Sequence, residues 1–260
     1  MSDGEGRQTS AGVTLERTWL DGPAGRLEAV LAYPDDAAPS LGVLINGPHP
    51  LLGGDLDNNV VCALLTGLAD RGALALAYNY AGVGNSEGGP ADWPAAIAQF
   101  WQEGTIPIEN EWIDDARWAE RALTAMIQAP RVIVGYSFGC WIASFCGRGD
   151  GPPDGQAPRH AAARILISPN PSKHDFSRLA TDVLPLLIIG SDNDFTCTRD
   201  ELKQWYETLL PPKELHVIHA GDHFFRGQEQ EVVQLVLNVL HLRASAPLRE
   251  PSVSPGAPRP

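Results

Sequence analysis

Short apolar runs alternate along this chain with longer stretches in which apolar residues recur three or four apart. The runs at Leu41–Asn46, Ala73–Tyr78, Arg131–Tyr136, 163–168, 186–190 and 214–218 read as strands. Helical spacing predicts helices over 59–71 (Val60, Leu64, Leu68) and 114–127 (Trp118, Ala122, Met126). Further helices are predicted over 138–146, 200–210 and 229–242. Two more strands, 13–20 and 26–33, flank Asp21-Gly22-Pro23 and form an antiparallel hairpin. Strands that are apolar throughout and separated by helices must be covered on both faces. The pattern therefore predicts an α/β fold, an eight-stranded and mostly parallel sheet with helices on both sides. Ligands of such sheets bind at the carboxyl ends of the strands, so the loops there carry the search for function.

The domain is expected over 12–243. Residues 1–11 and the proline-dense stretch 244–260 read as disordered tails, because proline at that density forbids a packed helix or strand. With 260 residues, 43% of them hydrophobic, the chain can bury one sizeable core. A formal net charge of -13 disfavours nucleic acid and anionic membranes as partners. The longest apolar runs are too short to span a bilayer. Residues 1–12 lack the apolar core of a signal peptide, which sets the cytoplasm as the expected location. Cys62, Cys140, Cys146 and Cys197 form no C-x-x-C pair and read as free thiols of a reducing compartment, with no metal site.

Two segments match Gly-x-Ser-x-Gly: Gly84-Asn85-Ser86-Glu87-Gly88 and Gly135-Tyr136-Ser137-Phe138-Gly139. Gly is a tenth of the chain, 26 residues, so a match alone is weak and context decides. A nucleophilic serine needs a strand running straight in and a helix running straight out, so that Oγ is lifted above the sheet. Ser137 meets both conditions. Ser86 meets neither: Ala81 to Gly84 separates it from its strand, and Gly88-Gly89-Pro90 follows where a helix should start. A serine hydroxyl also needs a base, and the base an orienting carboxylate. The strand at 186–190 is followed by Asp192 and Asp194, either of which could be the acid. The strand at 214–218 is followed by His223 in a Gly-Asp-His-Phe loop, the candidate base. His216 and His219 read as strand or strand-edge residues, and His174 and His241 have no partner in view.

The transition state of acyl transfer also needs amides for its oxyanion. The backbone N–H of Phe138 is one candidate. The loop after Asn46 should supply the second; Pro48 and Pro50 have no N–H, which leaves His49 and Leu51. The rival role for His49, as a catalytic imidazole, breaks the order serine, acid, histidine.

At this point the residues resemble a known group. Gly47-Pro48-His49-Pro50, Gly53-Gly54 and Asn58-Asn59-Val60-Val61 look like the His-Pro-His-Pro loop of small dienelactone-hydrolase-like members of the α/β-hydrolase superfamily. Gly82-Val83-Gly84, Ser86 and Gly88 resemble a second loop of that group, and Gly221-Asp222-His223-Phe224-Phe225 its histidine loop. The resemblance runs from about Leu41 to Leu242 and implies a Ser137, Asp194, His223 triad. It departs where Gly47 replaces a histidine, where Ala81 replaces an arginine, and in an apparent insertion between Pro90 and Trp112.

The expectation is a cofactor-independent serine hydrolase acting on a carboxylic ester or related acyl bond of a small, uncharged substrate. The same triad would also serve an acyltransferase or thioesterase, and the fold a non-catalytic binding protein. In 88–112, Trp93, Ile97, Phe100 and Trp101 recur at helical spacing. With Phe224 they are the candidate acyl pocket, on a segment expected to act as a lid or else to pack as extra core.

Overall fold

The computed structural model describes residues 7–10, 12–148, 160–219 and 221–244. One sheet organises them. Its strands are β1 (Arg7–Ser10), β2 (Val13–Gly22), β3 (Gly25–Pro34), β4 (Leu41–Asn46), β5 (Ala73–Tyr78), β6 (Arg131–Tyr136), β7 (Ala163–Ile167), β8 (Leu186–Ser191) and β9 (Lys213–Ile218). They lie in the order β1-β2-β3-β5-β4-β6-β7-β8-β9. From β5 across to β9 every pair is parallel; β1, β2 and β3 are antiparallel, as is the β3–β5 pair. The eight expected strands are present, and β1 is a ninth. It pairs with β2 inside the segment expected to be a tail. An edge strand needs only main-chain hydrogen bonds, so Arg-Gln-Thr-Ser carries no apolar alternation to announce it. The remaining tail residues, 1–6, 11 and 245–260, lie outside the described residues.

The parallel strands β5, β6, β7 and β8 are buried from end to end because helices cover both faces, while β9, at the sheet edge, is only half-buried. On one face, α1 (Asn59–Ala69) and α6 (Glu229–Ala244) pack Val60, Leu64, Leu68, Val232 and Val236 on Val43, Ile45, Val132 and Val134. On the other, Leu44, Leu76, Ile133 and Ile188 meet α3 (Glu109–Met126), α4 (Phe138–Ala143) and α5 (Arg199–Glu207), with α2 (Trp93–Glu103) at the margin. Successive strand residues alternate between these two cores, as the pleat requires. Among the described residues no helix is long and apolar enough to cross a membrane.

Helix α3 corrects the sequence reading twice. It starts at Glu109, five positions before the expected 114. Its inner face is Trp112, Ile113, Ala116, Ala119 and Leu123, while Trp118 is 38% exposed and Met126 lies on the surface. Both stripes have helical spacing. The alanines of the buried one carry little hydrophobic signal, yet they let α3 approach the sheet closely.

The segment 88–112 forms α2 and the first turn of α3. Proline stands in the first turn of α2, and Asp92 caps it by accepting from the Ala95 N–H. Trp93, Ile97 and Phe100 are half-buried against the core, but Trp101 is 71% exposed. At 100° per residue Trp101 falls about 80° from Trp93, at the edge of the stripe, and so turns to solvent.

Candidate active site

The carboxyl ends of β4, β6, β8 and β9 bring the candidate residues together. Strand β6 runs directly into Ser137, and α4 runs directly out of it. Ser137 has φ 57 and ψ -121, a conformation rare for a residue with a side chain and costing on the order of 1–3 kcal/mol. The Ser137 N–H donates to the Ile167 carbonyl at 2.8 Å, which anchors the turn to β7. The turn is tight enough that a Cβ on Gly135 would stand 2.2 Å from the Gly139 carbonyl oxygen. One on Gly139 would stand 2.1 Å from that of Asn46. Only hydrogen fits at either position.

The Ser137 Oγ lies 2.8 Å from His223 Nε2, and His223 Nδ1 lies 2.9 Å from Asp194 Oδ2 and 3.0 Å from Oδ1. Ser137, His223 and Asp194 thus form one hydrogen-bonded series in the order the resemblance implies. Asp192 is not in it; its carboxylate meets His219 Nδ1 at 3.0 Å on the surface. Burial acts to raise the Asp194 pKa, but hydrogen bonding and charge from His223, with the N–H and hydroxyl of Thr196, hold the carboxyl below its usual range. The imidazole is fixed from behind: the Tyr136 hydroxyl donates to the His223 carbonyl at 3.0 Å, and the two rings stack at 6.0 Å. Thr196 and Tyr136 were not among the sequence candidates. Tyr136 is the variable position of the Gly-x-Ser-x-Gly motif, and Thr196 follows the acid by two residues, so their closeness in sequence to the site was the available signal.

The hydroxyl of Ser86 is committed elsewhere. It donates to the Asn79 carbonyl and accepts from the Glu28 N–H, each at 2.9 Å. Its loop is tied to the buried Glu28 carboxylate, which accepts from the Asn85 N–H, the Asn85 amide and the Asn79 amide.

The amide of Phe138, at the first position of α4, has no intrahelical acceptor. The loop after β4 closes in a 3-10 turn, Pro50–Leu52, capped by His49. Here one sequence expectation is corrected. The Leu51 N–H donates to His49 Nδ1 at 3.1 Å, so Leu51 is not a free oxyanion donor, and the His49 amide is left as the candidate from this loop. Nor is the His49 ring a base for Ser137. It is 4% exposed, packs on Phe138 with ring centroids 4.4 Å apart, and places Nε2 3.1 Å from Glu109 Oε1. Burial pushes its pKa down, against the opposing pull of Glu109. His174, without a visible partner in sequence, also meets Glu109, with Nε2 3.2 Å from Oε2.

Of the candidate pocket residues, Trp93 lines an open cleft of about 360 Å³ with Pro50, Gly54 and Val83. Phe100 packs on His49 at 4.5 Å. Phe224 stands edge-on to His223 at 5.6 Å, and its neighbour Phe195, 73% exposed, contacts both. Trp101 meets Phe100 at 6.0 Å but turns away from this space.

A mostly parallel sheet of this order, with a serine on a strained strand-to-helix turn, defines the α/β-hydrolase fold, and the resemblance seen in the sequence is borne out at that level. The chain is similar to an α/β serine hydrolase homologue from Coxiella burnetii, with TM-score 0.68 and 26% identity, covering 86% of this chain and 97% of that one. It is also similar to XC6422 from Xanthomonas campestris, an α/β serine hydrolase without a lid (TM-score 0.69, 22% identity, 88% of this chain and 95% of that one). In sequence it is 25% identical over 237 residues to RP471 of Rickettsia prowazekii (strain Madrid E), described as an uncharacterized protein; the match covers 87% of this chain and 89% of that one. No family model matches the chain.

Proposed function

We propose that the protein is a serine hydrolase that cleaves a carboxylic ester or related acyl bond through an acyl-enzyme. The observation that carries this reading is the Ser137–His223–Asp194 series built on a strained turn. Ser137 Oγ attacks the substrate carbonyl carbon as its proton passes to His223 Nε2. The carbonyl oxygen becomes an oxyanion held by the amides of Phe138 and His49. The intermediate collapses, the bond to the leaving oxygen breaks, and His223 returns the proton to that oxygen. Water, deprotonated by the same imidazole, then releases the acid and restores Ser137. Asp194 keeps the proton of His223 on Nδ1 and stabilises the imidazolium. No metal or organic cofactor enters these steps.

The surroundings favour an apolar, uncharged substrate. Phe195 and Phe224 border His223, the inner face of α2 borders His49, and a net charge of -13 repels anions. In this reading α2 is a wall packed on the oxyanion loop.

The test is labelling with a fluorophosphonate probe, followed by a panel of p-nitrophenyl esters of rising chain length. Wild type is expected to label at Ser137 and to turn over apolar esters. Ser137→Ala should lose labelling and lower kcat by about 10⁶. Labelling that persists in that variant refutes the assignment.

A further inference from the structure

Glu109 is 2% exposed, and its carboxylate holds two imidazoles from two separate loops. Nothing in the acyl-transfer steps uses it. Oε1 faces His49 Nε2 and also accepts from the Ile106 N–H at 3.3 Å, while Oε2 faces His174 Nε2. His49 belongs to the loop after β4, His174 to the loop after β7, and Glu109 to the first turn of α3. Three chain segments therefore converge on one carboxylate at the carboxyl end of the sheet.

The hydrogen bonds fix the proton on His49. Its Nδ1 accepts from the Leu51 N–H, so in the neutral ring the proton sits on Nε2 and is donated to Glu109. Glu109 thereby selects the tautomer that caps the 3-10 turn, and the turn sets the direction of the His49 amide. Both imidazoles also touch Phe138, His49 at 4.4 Å and His174 at 5.4 Å, and His174 packs on Trp141 of the same helix at 4.9 Å. The two amides assigned to the oxyanion thus come from residues whose side chains are held around one anion.

We propose that Glu109 is a positioning residue for the oxyanion hole, acting through the His49 tautomer and through the His174 contact on Phe138. The inference rests on the serine-hydrolase reading above. A displacement of about 1 Å in a catalytic donor can cost 10²-fold in rate, so a device that fixes two donors affects kcat without touching substrate. Gln at this position has nearly the same shape but no charge and one acceptor oxygen, so only one imidazole can keep donating its Nε2–H to it, and the other must change tautomer or lose its partner.

The experiment uses the full chain and compares wild type, Glu109→Gln, His49→Asn and the double variant. Asn at 49 retains an acceptor for the Leu51 N–H but does not reach Glu109. The readouts are kcat, KM and the inhibition constant of a trifluoromethyl ketone, whose adduct with Ser137 places an oxyanion in the hole. For Glu109→Gln, kcat should fall about 10-fold or more, short of the 10²–10³ of outright donor loss. KM should stay within about twofold, as for an interaction made only in the transition state. Ketone affinity should fall by the same factor as kcat, and most of the cost should vanish in the His49→Asn background.

Wild-type kcat and ketone affinity in Glu109→Gln overturn the proposal. So does a loss of kcat without a loss of ketone affinity, or a cost that is fully additive with His49→Asn. If Glu109→Gln does not fold, His49→Asn is judged by the same kcat and ketone criteria. If no ester in the panel is turned over, the rate of fluorophosphonate labelling at Ser137 replaces kcat, since the phosphonyl oxygen enters the same hole. Failure of the underlying reading is seen separately, as labelling that survives Ser137→Ala.

Discussion

Two loops of this chain share the pattern Gly-x-Ser-x-Gly, and they use it in opposite ways. At Ser137 the strain sits on the serine, with φ 57, while Gly135 and Gly139 have ordinary backbone angles and serve by having no Cβ. At Ser86 the serine is unstrained and the glycines carry the unusual angles, φ 57 at Gly84 and φ 80 at Gly88. The first hydroxyl faces an imidazole; the second bridges the Asn79 carbonyl to the Glu28 N–H. The lesson is that the five-residue pattern has little meaning of its own. A strand entering and a helix leaving force the strain onto the serine and expose Oγ. A loop on both sides lets the glycines take the strain and buries the hydroxyl.

The largest effect expected is on rate. The elbow serine is backed by a carboxylate that the other lacks, and removing its charge should erase much of the difference between them. Asp194→Asn is expected to lower kcat about 10⁴-fold, because the amide stabilises the wrong tautomer of His223. Asp192→Asn, which alters the surface pair with His219 and lies outside the Ser137–His223–Asp194 series, should leave kcat within a few-fold. Steady-state kinetics on the best ester of the panel decide this. Equal losses in the two variants would mean that the acid is not the residue at 2.9 Å from Nδ1.

A second contrast concerns the glycines. In Gly139→Ala the new methyl meets backbone, 2.1 Å from the Asn46 oxygen and 2.6 Å from its carbon, and nothing there can move cheaply. The expected cost is at least about 3 kcal/mol, the upper end of what overpacking does, with loss of activity. In Gly88→Ala the left-handed backbone costs about 1–2 kcal/mol, and the nearest atom, the Ala24 methyl at 2.8 Å, forces only the exposed hairpin turn to shift rather than buried backbone. Urea unfolding of both variants measures the gap. A Gly139→Ala variant as stable as Gly88→Ala would show that the elbow is looser than described.

Much of this was legible in the sequence for a physical reason. Strands buried on both faces must be apolar throughout, so β4 to β8 announced themselves, and with them the loops that carry Ser137 and Asp194; β9, half-buried at the sheet edge, was still apolar enough to place the loop that carries His223. What stayed hidden was set by contacts distant in the chain. Glu109 and His174 are 65 positions apart and acquire meaning only when α3 and the β7 loop converge. The inner face of α3 was misread because Trp118 and Met126 are large apolar side chains that dominate a periodicity count, while Ala116 and Ala119 carry little apolar area, although the alanines are the ones buried. The Leu51 amide looked free because nothing in Gly-Pro-His-Pro-Leu says that the His49 ring folds back to take its hydrogen. The choice between Asp192 and Asp194 needed the family resemblance, since both follow the strand within a few residues.

The smallest effect expected concerns Ser86. Its hydroxyl is buried, satisfies one acceptor and one donor of the backbone, and helps hold the Gly82–Gly88 loop against Glu28. In Ser86→Ala the Glu28 N–H and the Asn79 carbonyl each lose a partner. The loss of hydrogen bonds to buried groups costs about 1–3 kcal/mol. Because the elbow and its series of hydrogen bonds are untouched, kcat and labelling at Ser137 should stay within about twofold of wild type. Urea melts should show a lower midpoint with an unchanged slope, the sign of lost stability without altered compactness. If Ser86→Ala instead lost activity as deeply as Ser137→Ala while keeping its urea midpoint, the second loop would belong to the chemistry and the contrast between the two serines would fall.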